Sequence, residues 1–94
     1  MNPAIGLIET LGLVPLLNAV DAALKAANVK TISGVMKLDG GIVAVMISGD
    51  VSSVRAAVEA AAEAAARLGE LKAAHVIPRP DDALLPVFLG ASKS

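Results

Sequence analysis

Few residues in this sequence are equipped for chemistry. A single histidine, His75, stands in the apolar stretch AAHVIP. An imidazole beside a carboxylate can act as a general base. A lone histidine in a strand is more often structural, however, and no serine stands at a recognisable nucleophile spacing from it. There is no cysteine, which excludes disulfides, thiolate metal sites and thiol catalysis and fits a reducing compartment. The carboxylates Glu9, Asp21, Asp39, Asp50, Glu59, Glu63, Glu70, Asp81 and Asp82 are scattered over caps, turns and helix surfaces. None joins His75 at a metal-ligand spacing, so neither a metal nor a cofactor is expected. The Gly40-Gly41 pair can turn backbone N–H groups toward an anion, yet it lacks the lysine and following helix of a phosphate loop.

Charge and composition narrow the classes further. The net charge is −1 and the one aromatic residue is Phe88, so nucleic-acid binding has neither a basic field nor a stacking platform. Apolar runs such as Ile42–Ile47 fall far short of the roughly 20 residues of a membrane span. No basic segment followed by an apolar stretch opens the chain, so a soluble, cytoplasmic protein is expected. Apolar residues make up 55% of the sequence, nineteen of them alanine, with neither Trp nor Tyr. Small side chains bury little area each. A single domain of 94 residues built this way is marginal alone, and self-association is expected to cover its surplus apolar surface.

The elements that must position these residues follow from periodicity. Ala4–Thr10 reads as a strand. Leu13–Asn28 reads as a helix with an apolar stripe at Leu17, Val20, Leu24 and Ala27 and an Asp21–Lys25 i,i+4 pair. Pro15 requires that helix to start close to it. Lys30–Leu38 reads as a weaker strand loosened by Ser33 and Gly34, Asp39–Gly41 as a turn, and Ile42–Ser48 as a central strand covered on both faces. Ser52–Leu68, capped by Asp50 or Ser52, reads as a helix with Val54, Val58, Ala61, Ala65 and Leu68 inward. Arg55, Glu59, Glu63 and Arg67 line a solvated face of it, and Gly69 ends it. Leu71–Ile77 reads as the last strand, stopped by Pro78 and Pro80. Leu84–Leu89 reads as a short helix or turn, and residues 90–94 as a disordered end. The order β-α-β-β-α-β is the split β-α-β arrangement: an α+β, ferredoxin-like domain with an antiparallel four-stranded sheet and helices mainly on one face.

Five segments in this order carry a family resemblance: GLIETLGL (Gly6–Leu13), AVDAALKAANV (Ala19–Val29), KLDGG (Lys37–Gly41), SGDV (Ser48–Val51) and AAHVIPRP (Ala73–Pro80). Together they resemble the BMC-domain shell proteins of bacterial microcompartments, the single-domain, hexamer-forming type of carboxysomes and metabolosomes. The resemblance covers residues 4–80 and leaves 81–94 as an extension of the same single domain. It implies a homohexameric tile of a self-assembling shell around enzymes, with a pore on the sixfold axis and no catalysis or cofactor. Its implied partners are further copies of the chain, other shell proteins, the encapsulated enzymes and small metabolites crossing the pore, with neither nucleic acid nor membrane among them.

Residue roles follow from that resemblance by position. Lys37, Leu38, Asp39, Gly40 and Gly41 match the pore loop, with Gly40 at the constriction. The loop departs from the usual Lys-Ile-Gly-Ser-Gly pattern, because Asp39 stands at the first glycine and Gly40 at the serine. Six Asp39 carboxylates facing the axis would form a negative ring that disfavours anions, unless Lys37 neutralises it. Lys25 and Arg79 match the lysine and arginine of the tile edge, and Asn28 and His75 are assigned to the same hexamer–hexamer boundary. Ser48 stands where the family often has arginine. Two rival readings are a small oligomeric ligand-binding regulator of the same split fold and a small enzyme using His75. The first would need convergent polar groups between subunits, for which Glu9, Lys37 and Asp39 are the candidates.

Overall fold

The computed structural model describes residues 3–89. Strand β1 (Ala4–Leu11) leads into helix α1 (Leu13–Ala26), and two short strands follow, β2 (Lys30–Thr31) and β3 (Met36–Lys37). A 3₁₀ turn at Asp39–Gly41 opens into β4 (Ile42–Gly49), then α2 (Val51–Leu68), β5 (Glu70–Ile77) and the short α3 (Leu84–Leu89). The sheet order is β2-β4-β1-β5, with β3 also paired to β4, and every pairing is antiparallel. β1 is fully flanked: Ala4 lies opposite Gly49 and Leu11 opposite Ile42 on one side, while Ile5 lies opposite Ile77 on the other. This is the split β-α-β order expected from the sequence.

The strand expected over Lys30–Leu38 is broken in two. Thr31 pairs with Ile47 and Met36 with Ala44, so four residues on this edge face two on β4. The ladder survives the excess because a side chain substitutes for backbone. The Ile32 N–H donates to the Met46 carbonyl, and the Met46 N–H donates to the Ser33 hydroxyl, each at 2.9 Å. Ser33 and Gly34 thus break the edge strand without leaving the central one unpaired. The sheet has five strands in four positions.

Helices α1 and α2 cover one face of the sheet. The buried cluster joins Leu16, Ala19 and Ala23 of α1 and Val54, Ala57, Val58, Ala61 and Ala65 of α2 to Ala4, Ile8, Val45 and Ile47 of the sheet. The α2 stripe is as expected except for Leu68, which is exposed in the last turn. The α1 stripe is not. Leu17 and Leu24 face solvent and Val20 is half-buried, while Leu16, Ala19 and Ala23 point inward. α1 offers two apolar lines at helical spacing, and the one with less volume lets it lie close to α2 and the sheet. The Asn18 amide, directed at α2, donates to the Ala64 carbonyl at 3.0 Å.

Local signals set the ends. Asp50, not Ser52, caps α2. Its carboxylate accepts from the Ser53 N–H and from the Ser52 and Ser53 hydroxyls at 2.9, 2.9 and 3.0 Å. Those bonds, the backbone one first, hold its pKa below the ordinary value. The Gly69 N–H closes the helix on the Ala65 carbonyl. Pro15 and Pro86 each fall at the third residue of their helix, where no intrahelical N–H bond is lost. α3 lies on the opposite face of the sheet, where Leu84 and Phe88 approach Ile5, Leu7 and Met46. Residues 90–94 lie outside the described residues.

Gly6 shows how tight the helix side is. A Cβ there would stand 2.6 Å from Val58 Cγ2 and 2.9 Å from Ile47 Cγ1. Gly6→Ala is expected to lower stability by about 1–3 kcal/mol through overpacking, read as a lower urea midpoint at unchanged slope.

Candidate functional site

Strand direction sorts the candidate residues into two groups at opposite ends of the sheet. β1 ends at Leu11, opposite Ile42 and Glu70, so the β3–β4 turn and the start of β5 share that end. The turn carries Leu38, Asp39, Gly40 and Gly41, all exposed, with Lys37 exposed just before it. Gly40 and Gly41 have φ of 77° and 81°, a region costly for a residue with a Cβ. Two backbone bonds pin the turn. The Leu38 N–H donates to the Ile42 carbonyl at 2.8 Å, and the Gly12 N–H donates to the Gly41 carbonyl at 2.9 Å. The second ties the turn to the start of α1. Gly12 itself has φ 89°, and the buried Thr10 hydroxyl donates to its carbonyl. The result is a small-residue turn with accessible backbone, flanked by one cation and one carboxylate.

Lys25, Asn28 and Arg79 gather at the other end, roughly 25 Å away by the rise of an eight-residue strand. α1 returns antiparallel to β1 and brings Lys25 into its last turn. Asn28 follows beside Gly49, where an added Cβ would lie 3.0 Å from the Asn28 carbonyl. β5 ends at Ile77, opposite Ile5, and Arg79 stands exposed just beyond, between Pro78 and the buried Pro80. Lys25 Nζ pairs with Asp21 Oδ2 at 2.8 Å while its side chain remains 76% exposed. The hydrogen bond first, and the charge attraction second, raise the Lys25 pKa above 10.5. Among the described residues the only other ion pair joins Lys72 to Glu70. Arg55, Glu59, Glu63 and Arg67 on the solvated face of α2 therefore form no ion pair with one another, although their i,i+4 spacing would allow two.

His75 sits elsewhere. It pairs with Leu7 in the ladder and points to the α3 face, where it lines an apolar cavity of about 280 Å³ with Glu9 and Met36. No hydrogen bond or ion pair joins His75 to Glu9 among the described residues. Sequence reasoning missed this cavity. The signal was present in β1, whose Ile5 and Leu7 alternate with Ala4 and Ile8, so the strand is apolar on both faces. Among the described residues no cluster of three His, Asp or Glu side chains could hold a metal ion, and no helix is long and apolar enough to cross a membrane.

Comparison with known proteins decides what a chain with this fold and these two ends is. The sequence profile of the BMC domain matches residues 4–80. The chain belongs to the BMC domain family. The bacterial microcompartment shell protein EutM of Salmonella typhimurium (strain LT2) is 52% identical over 85 residues, 90% of this BMC domain chain and 88% of that protein. The carboxysome shell protein CsoS1A of Hydrogenovibrio crunogenus is 47% identical over 86 residues, again 90% of this chain and 88% of that one. A crystal structure of a microcompartment protein from Desulfitobacterium hafniense DCB superimposes with a TM-score of 0.79 at 29% identity. That match covers 92% of this chain and 46% of the other, so this BMC domain spans just under half of it. The relatives are structural shell proteins, and a structural rather than enzymatic protein agrees with the sparse catalytic inventory.

The turn chemistry gives a direct prediction. An added Cβ at Gly40 meets nothing within 4 Å, so only the backbone resists substitution. Gly40→Ala should cost roughly 1–2 kcal/mol and Gly40→Asn clearly less, because asparagine visits positive φ more readily. Parallel urea titrations of the two variants check the order.

Proposed function

We propose that this BMC domain is a structural shell protein of a bacterial microcompartment in the cytoplasm, acting as a single domain whose copies close into sixfold rings and tile a layer around enzymes. In this reading the Lys37–Gly41 turn surrounds the ring axis as a pore for small metabolites. Lys25, Asn28 and Arg79 meet neighbouring rings at the rim. The observation that carries the reading is the separation of these two groups to opposite ends of the strands. Small residues suit the axis, where several copies crowd one line, and Gly40 forms the constriction. At the rim, Arg79 offers five N–H donors on a backbone held by two prolines, and the Lys25 stem can lie flat while its ammonium finds a carbonyl. The partners are other copies, other shell proteins and the enclosed enzymes.

The deciding experiment is the solution mass of the purified chain with negative-stain images of the same sample. A mass of six chains with hexagonal particles or sheets supports the ring; a stable monomer, dimer or trimer without a lattice overturns it. Two further outcomes separate rim from axis. Lys25→Ala and Arg79→Ala should leave the six-chain mass intact and abolish sheets in the images. Rings that fall apart, or sheets that persist in both variants, contradict the rim assignment. Asp39→Ser should raise sulfate occupancy on the axis in crystals of the ring, since removing six carboxylates removes their repulsion of anions. Unchanged occupancy puts those carboxylates off the lumen.

A further inference from the structure

The face of the sheet away from α1 and α2 holds a cavity of about 280 Å³, which lies between α3 and the strands. A step in side-chain size creates it. On this face β1 presents Ile5, Leu7 and Glu9 at alternate positions. Met46 and His75 stand opposite Leu7, but only alanines, Ala44 and Ala73, stand opposite Glu9. The two small residues leave a depression beside the carboxylate, and Leu84 and Phe88 of α3 lie over it. This cover is loosely seated, since no residue of α3 is buried.

Glu9 is the misfit in the lining. It is half-buried, and among the described residues it has neither a hydrogen bond nor an ion pair. Every other lining residue is apolar except His75, which is exposed. A carboxylate in apolar surroundings gives up water without compensation unless a cation or donor meets it. Within the chain the candidate is Lys72, the unpaired residue where the β1–β5 register shifts next to Glu9. Its ammonium is instead held by Glu70 at 2.7 Å. The fold therefore leaves the counter-charge of Glu9 to be supplied from outside.

Size and cover narrow what can supply it. An apolar cavity of about 150 Å³ holds benzene, so this one has room for roughly ten non-hydrogen atoms. A helix lying across the cavity suits an enclosed small molecule rather than an extended peptide. An apolar wall with one polar group to fix orientation is the usual form of such a site, and Met46 can adapt its shape to a hydrocarbon body. We propose that the cavity under α3 binds a small organic cation, with its ammonium on Glu9 and its hydrocarbon body between Met46 and Phe88. Every residue named belongs to one copy, so the site does not depend on the ring.

Phe88 is the only aromatic residue in the sequence, so protein grown with fluorophenylalanine carries a single fluorine resonance, at the cavity wall. The probes are phenylpropylammonium, phenylpropanol and phenylpropionate, one body with three head groups. The ammonium should shift that resonance saturably and bind roughly tenfold more tightly than the alcohol, and the carboxylate should bind more weakly than either. Glu9→Gln should reduce the ammonium to the affinity of the alcohol and leave the alcohol unchanged. Ala44→Leu, which fills the depression, should abolish the shift with all three; if that variant fails to fold, Glu9→Gln decides. Equal affinities for ammonium and alcohol in the parent, a preference that survives Glu9→Gln, or no saturable shift overturns the site, whatever the solution mass of the protein.

Discussion

The structure depends on how little volume its interior contains. Half of the residues buried between α1, α2 and the sheet are alanine, with Ile8, Leu16, Ile47 and Val54 as the largest side chains sealed among them. A buried methyl contributes about 0.8 kcal/mol and a buried leucine about 1.5–3, so a core of this kind stabilises one chain only modestly. The small side chains let both helices settle close to the sheet, and Gly6 admits Val58 and Ile47 where any Cβ would collide. The larger apolar side chains were then left with no interior to enter. Leu13, Val14, Leu17, Leu24, Val87 and Phe88 stand at the surface, an inversion of the usual rule that volume goes inside. The apolar surface left bare is the kind that further copies would cover in the proposed ring.

The same close packing fixes the polarity of the molecule. Because β1 is clasped by β4 and β5 along its whole length, the segments gathered at its two ends are held a full strand apart. Gly12 pins the glycine turn to the Leu11 end, and the end of α1 and the Pro78–Pro80 corner are delivered to the Ala4 end. Neither group is a site in the catalytic sense. Each is a modest set of exposed donors and charges, which the proposed ring would repeat around its axis and rim.

Much of this was legible from residue spacing. The strands announced themselves by branched apolar runs, α2 by its stripe and by Asp50, and the turn by Asp39-Gly40-Gly41, which the structure shows in positive φ at both glycines. What misled was side-chain size. In α1 the rows through Leu17 and through Leu16 have the same spacing, and weighting by hydrophobicity selects the bulkier one, whereas packing selected the row with alanines at 19 and 23. The break in the edge strand depended on a hydroxyl, that of Ser33, taking a carbonyl's place opposite Met46, which no periodicity encodes. The roles of Lys25, Asn28, Arg79 and the turn came from family resemblance rather than from any local signal. His75 was assigned with them on the same ground, and the structure sets it opposite Leu7 on the α3 face, in neither end group.

These observations bear on why a chain so plain can be specific. In one copy Asp39 is an exposed carboxylate beside a lysine two residues away, and nothing about it is chemically unusual. In the proposed ring the same group, repeated about the axis, would set the sign of the field that a passing metabolite meets, because charges that are screened singly act together in a narrow passage. Such a ring would need a turn rigid enough to keep every copy in one place, and the two backbone bonds from Leu38 and Gly12 would supply that rigidity without side chains to crowd the passage. Substitution at position 39 would then tune the passage and leave untouched the scaffold, whose buried cluster lies on the helix face of the sheet. In that reading, what the shell admits and what holds it together reside in different parts of the chain.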